Sequence, residues 1–178
     1  MSTTFKVFYL GTLTDLDTSE GSQIAENKTA LTGMTIGSID DPLSDRVQTF
    51  SPGSTGYGGG TASAYDTNNY LSNDTFRING GADQYFDSSV AYTATITYAD
   101  GTTASLSGVD IIQDKSGKTY LVPHLVPQTT YNADQILLEA KAIQSITFGS
   151  YIPNTANDVG WALAADRDAG DGYITTDG

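Results

Sequence analysis

The sequence predicts an all-β domain, a β-sandwich or jelly-roll-like arrangement of antiparallel sheets with one short helix near residues 132–142. Three observations predict it. Nineteen glycines and an abundance of Thr, Ser and Asn supply turns and pleated strands. Eleven tyrosines stand against two methionines, and aromatics suit half-buried strand faces where Met suits helical cores. Turn signals recur about every ten residues through the middle of the chain, the spacing of short antiparallel strands.

The elements follow in order. Phe5, Val7 and Tyr9 alternate with Lys6, Phe8 and Leu10, so both faces of this strand are largely apolar and it belongs between two layers. A polar loop from Thr14 to Gly21 follows. Residues 30–39 and 47–50 read as short strands parted by Asp40-Asp41-Pro42, and the Gly-rich stretch 51–61 reads as a loop. Residues 75–78 and 84–86 flank Asn79-Gly80-Gly81, a hairpin signal. Val90, Tyr92, Ala94, Ile96 and Tyr98 then occupy every second position with Thr93, Thr95 and Thr97 between them, a long half-buried strand. Asp100-Gly101 turns the chain into 102–112. There Ala104 and Leu106 share one face while Val109 and Ile111 fall on the other, a phase change at Gly108 that calls for a β-bulge. Lys115-Ser116-Gly117 turns again into Tyr120-Leu121-Val122. Asn132 is placed to cap a helix whose packed side is Ile136, Leu137 and Ala140, and Asp134 near its start suits the helix dipole. Residues 143–148 close the fold. The expected organisation is one module over residues 1–151 and an Asp/Gly-rich loop or tail over 152–178.

The charge balance bounds the partners. The chain of 178 residues carries 21 acidic groups against 8 basic ones, formally −13, and eighteen of the acids are Asp. Such a field repels nucleic acid and anionic membrane, both of which require clustered Lys or Arg. Absence of cysteine excludes disulfides, thiolate metal sites and cysteine nucleophiles. No apolar run approaches the ~18 residues of a membrane span, and the amino-terminal residues lack the pattern of a secretory signal peptide. The expectation is an extracellular or particle-surface protein without an amino-terminal signal, and without membrane insertion.

No catalytic constellation stands out. The single histidine, His124, lies between two prolines with no nucleophile and orienting partner in view, and it reads as a loop or strand-end residue. Gly58-Gly59-Gly60 lacks the Lys-Ser/Thr and the helix of a phosphate loop. The acidic clusters carry more. Ca²⁺ takes six to eight hard oxygens and favours closely spaced Asp, Asn and loop carbonyls. Asp15, Asp17 and Glu20 form one candidate set, and Asp166, Asp168 and Asp171 a second that matches a calcium loop in part. Ca²⁺ is therefore the one cofactor the sequence suggests, against a solvated acidic loop as the alternative. Tyr57, Tyr65 and Tyr70 fall in or beside the Gly/Asn-rich segment, where a core role is least expected. They are candidate partner contacts, because phenol rings in loops anchor recognition surfaces.

Several phrases resemble a known family. Phe8-Tyr9-Leu10-Gly11-Thr12-Leu13-Thr14-Asp15-Leu16-Asp17, Asn73-Asp74-Thr75-Phe76, the run Tyr92 to Ala104, Lys118-Thr119-Tyr120-Leu121-Val122-Pro123 and Ala142-Ile143-Gln144-Ser145-Ile146 are similar to amino-terminal modules of certain alphaproteobacterial secreted proteins. In those proteins the module precedes a hedgehog/intein-type self-cleaving domain or RTX-like calcium repeats. The resemblance spans most of residues 5–150 and implies a secreted, non-catalytic module. Cysteine is absent, so self-cleavage is not carried over, and Asp168-Ala169-Gly170-Asp171-Gly172 lacks a nine-residue repeat. The expected function is a non-enzymatic extracellular or surface structural or adhesion module, with Ca²⁺ as a candidate stabiliser, acting on protein partners by self-assembly or within a larger assembly. The alternative is a virion or tail structural protein, such as a decoration, spike or cement component. A carbohydrate-active enzyme using two carboxylates ranks third.

Overall fold

The computed structural model describes residues 4–19, 25–54, 74–122 and 133–153. Eight strands run in chain order: β1 (Phe5–Thr12), β2 (Thr35–Ile36), β3 (Val47–Pro52), β4 (Thr75–Ile78), β5 (Gln84–Tyr98), β6 (Thr103–Asp114), β7 (Lys118–Val122) and β8 (Ile143–Ile152). One helix, α1 (Ala133–Ala140), precedes β8. All pairings are antiparallel and belong to one sheet in the order β2-β8-β5-β4-β3-β1-β7-β6. An additional β5–β6 pairing brings the last strand back to the third. The sheet therefore closes a ring of six strands, with β8 and β2 continuing from β5 as a flap. The fold is all-β and antiparallel with one short helix, as the sequence predicts. Its layers come from one sheet curling on itself.

Curling gives the chain two apolar clusters. Phe5, Val7, Phe50, Phe76, Phe86, Ile112, Tyr120 and Val122 form the first, and all six ring strands contribute to it. This is the ring's interior, packed with side chains as in other small barrels. Phe5 stacks on Phe50 and Phe50 on Phe76, with centroids 4.4 Å and 5.2 Å apart, and Phe86 meets Phe76 at a tilt with centroids 4.6 Å apart. The second cluster lies on the opposite sheet face, where Phe8, Leu10, Tyr92, Ile96, Leu121 and Phe148 meet Leu16, Leu31 and Leu43 from the connections and Leu138 from the helix. The alternation of β1 explains both: Phe5 and Val7 point into the ring, Phe8 and Leu10 away from it.

The expected bulge is present. Tyr92 pairs with Val109 and Ala94 with Leu106, so Ser107 and Gly108 together oppose Thr93. The extra residue restores the phase, and Leu106, Val109 and Ile111 all join the outer cluster. Helix α1 holds this point. Asp134 Oδ1 accepts the Ser107 N–H at 2.8 Å, and Oδ2 accepts the Ser107 hydroxyl at 2.6 Å and the Gly108 N–H at 3.0 Å. The ladder groups freed by the bulge thus acquire a charged acceptor.

Two local expectations are corrected. Residues 30–39 do not form a strand: 26–33 are turns, and only Thr35 and Ile36 pair, with Thr147 and Ile146 of β8. Gly33 and Gly37 have φ of 83° and 91°, outside the strand region, and break the run on both sides. The helix also presents a different face. Asp134, Gln135 and Leu138 are buried whereas Ile136 is exposed, because the bulge recruits Asp134 and rotates the apolar side by part of a turn. Asn132, the expected cap, lies outside the described residues.

Candidate functional site

Two turns meet at one end of the ring. Between β4 and β5, Gly81 N–H closes on the Ile78 carbonyl at 2.9 Å, with Asn79 and Gly80 at φ of 53° and 69°. Positive φ at both central positions makes this a type I′ turn, the reason Asn-Gly stands here. Between β6 and β7, the Asp114 carboxylate Oδ1 accepts the Ser116 N–H at 2.9 Å, the Ser116 hydroxyl at 2.8 Å and the Lys118 N–H at 2.8 Å. Short aspartate side chains clamp turns in this way. The Lys115 N–H donates to the Tyr85 carbonyl at 3.1 Å and ties the second turn to β5.

A groove of about 490 Å³ lies between the turns, lined by residues 81–85, 114–116 and 118. Tyr85 stands in it 47% exposed, with the Lys115 ammonium 5.5 Å from the ring centroid. The alternation that sends Phe86 into the ring sends Tyr85 out. Gln84 links groove to interior: its Oε1 accepts the Tyr120 hydroxyl at 2.9 Å, and its amide nitrogen has no partner among the described residues. Asp83 accepts from the Ser54 hydroxyl and from Arg77 Nε at 2.7 Å. The Ser54 bond first, and Arg77 beside it, hold the Asp83 carboxyl below its ordinary range. Both carboxylates of the groove are thus engaged by the scaffold, while the Lys118 ammonium meets no acidic partner among the described residues.

The sequence-predicted sites are distributed as follows. Asp15 and Asp17 sit together in the loop after β1, where Asp15 Oδ1 accepts the Asp17 N–H at 3.0 Å and Asn27 Nδ2 donates to the Asp15 carbonyl at 2.9 Å. The acid that joins them is Glu26, which accepts the Ser19 N–H at 3.1 Å and meets the Asp17 side chain. Desolvation pushes the Glu26 carboxyl up, and its hydrogen bonds to its own N–H, Asp17 and Ser19 outweigh it, so the net displacement is downward. Among the described residues no three carboxylate or imidazole groups gather at a spacing that would hold a metal ion. Glu20, Asp166, Asp168 and Asp171 lie outside the described residues, as do His124 and the tyrosines Tyr57, Tyr65 and Tyr70.

No family model, curated protein or solved structure matches this chain. The groove must therefore be read from its own chemistry. Sequence reasoning passed over it because its residues looked like punctuation. Tyr85 read as one more strand aromatic, and Lys115-Ser116-Gly117 as a turn. The available signal was the pairing of Tyr85 with the inward Phe86, which leaves a phenol facing out beside two of the chain's eight cationic residues.

Proposed function

We propose that this domain is a non-catalytic extracellular or surface module that works by adhesive contact through the groove at the mouth of the ring. The observation that carries the reading is the half-exposed Tyr85 between two braced turns. A phenol there offers apolar area and a hydroxyl at low entropic cost, on backbone already fixed by hydrogen bonds. The other polar groups of the region support it, since Asp83 accepts from Arg77 and Ser54 and Asp114 accepts from its own turn, so both carboxylates serve the scaffold. The resemblance of the sequence phrases to modules of secreted proteins points to the same kind of role. Tyr57, Tyr65 and Tyr70 are sequence-level candidates for the same contact surface.

The test is adhesion of the purified, labelled full chain to cells of the organism that makes it. Tyr85→Ala leaves the melting temperature within about 2 °C of wild type and lowers adhesion. Adhesion unchanged in Tyr85→Ala moves the contact elsewhere, with Tyr57, Tyr65 and Tyr70 replaced together by Ser as the next variant. Adhesion absent from the wild type overturns the proposal.

A further inference from the structure

We propose that the ring-mouth groove binds an acidic saccharide, a uronate-bearing segment of a surface or matrix polysaccharide. The assignment rests on the reading of the domain as a contact module and names what that contact takes. It follows from what the groove has left to offer. Asp83 has both carboxylate oxygens engaged by Ser54 and Arg77, and Asp114 Oδ1 takes three donors of the β6–β7 turn. The donors it offers to a ligand are the Gln84 amide nitrogen and the ammonium groups of Lys115 and Lys118. An ammonium brings three donors and a full charge, and suits a carboxylate that can be approached from several directions. Tyr85 supplies the apolar part. Its half-exposed ring, with the Lys115 ammonium 5.5 Å from the centroid, offers apolar area to the C–H face of a sugar, which places hydroxyls and carboxylate at the sugar's edge, toward the donors.

Charge argues for the location as well as the ligand. The chain is formally −13, so a polyanion is repelled at long range. At physiological ionic strength the screening length is about 8 Å, and a ligand in contact with the groove feels chiefly its lining, where Lys115 and Lys118 present ammonium groups, Asp83 is paired with Arg77 and Asp114 is hydrogen-bonded into its turn. Neutral polysaccharide would leave both ammonium groups unanswered. A simple acidic peptide would answer them but would not cover Tyr85 with a flat, hydroxylated face.

The test is affinity electrophoresis of the full chain at about 0.15 M salt through gels holding polygalacturonate, dextran or poly-glutamate. Polygalacturonate alone retards the wild type. Lys118→Ala and Tyr85→Ala each weaken retardation by about tenfold with unchanged melting temperature, and Lys118→Arg restores most of it. No retardation by polygalacturonate, equal retardation by dextran or poly-glutamate, or retardation indifferent to both variants overturns the assignment. A chain that adheres to cells through Tyr85 yet is not retarded by polygalacturonate overturns the saccharide and leaves the contact reading standing. A chain that does neither overturns both.

Discussion

The carboxylate of Asp134 closes on the backbone N–H of Gly108 at 3.0 Å, joining the first turn of the helix to the bulge of β6. The bulge therefore depends on the aspartate more than on the glycine. A Cβ at position 108 would meet only Ile152 Cδ1 at 3.5 Å, ordinary contact, and Gly108 is not among the glycines with positive φ. Gly108→Ala is expected to change stability by less than about 1 kcal/mol. Asp134→Ala strips a charged acceptor from three donors in a buried place and is expected to cost about 3 kcal/mol. Urea titration of the two variants checks the contrast. Equal losses would show that the glycine itself shapes the bulge.

Gln113 does comparable work for the loop after β1. Wholly buried, it accepts the Leu16 N–H at 2.9 Å through Oε1 and donates through Nε2 to the Thr14 carbonyl at 2.9 Å and to Thr119 Oγ1 at 3.0 Å. Thr119 in turn donates to the Gly117 carbonyl, which also accepts the Leu13 N–H. Gln113→Leu keeps volume but orphans buried backbone groups, and is expected to cost about 2–4 kcal/mol. Amide exchange at Leu16 accelerates in the variant. Unchanged exchange there would mean that the loop is held by Leu16 packing alone.

Buried tyrosines set the alkaline limit. Burial first of all pushes the Tyr92 and Tyr120 hydroxyls up to about 12, from 10.0 in the free residue. Burial likewise raises Tyr98, against the opposing pull of Lys141. The folded chain therefore holds protons that the unfolded chain has released. That stability is fully present below pH 10 and drains away as pH rises toward 12. Urea titrations across this range check it, and Tyr92→Phe, which cannot ionise, flattens part of the decline. Constant stability through pH 12 would contradict the burial of both hydroxyls.

Asp15→Asn separates turn from cation. Asparagine keeps an oxygen for the Asp17 N–H and removes one negative charge. The variant is expected to melt with the wild type in chelator. A rise in melting temperature with Ca²⁺, present in the wild type and lost in the variant, is the signature of a cation held at Asp15. No rise in either protein removes the cation from this loop.

The sequence made the strands legible wherever two-residue alternation was long, as in Val90 to Tyr98, and where turn chemistry was explicit, as at Asn79-Gly80 and Lys115-Ser116-Gly117. It also located the bulge from the change of phase at Gly108. Ring closure was not legible, because it depends on the β1–β7 pairing, which sets Phe8 against Leu121 and which no local pattern encodes. The helix face was misjudged because a buried aspartate there answers to the bulge, a tertiary demand that overrides the apolar stripe. The groove escaped for the same reason: Tyr85, Lys115 and Lys118 become neighbours only when two separate turns reach one end of the ring.

Amide hydrogen exchange of the full chain, free and bound to surface polysaccharide from the organism that makes it, tests the central claim most directly. The account predicts slowed exchange on binding at residues 81–85 and 115–118, with β2, β8 and α1 unchanged. Protection along the β2–β8 flap, with the two turns exchanging as in the free chain, would contradict it.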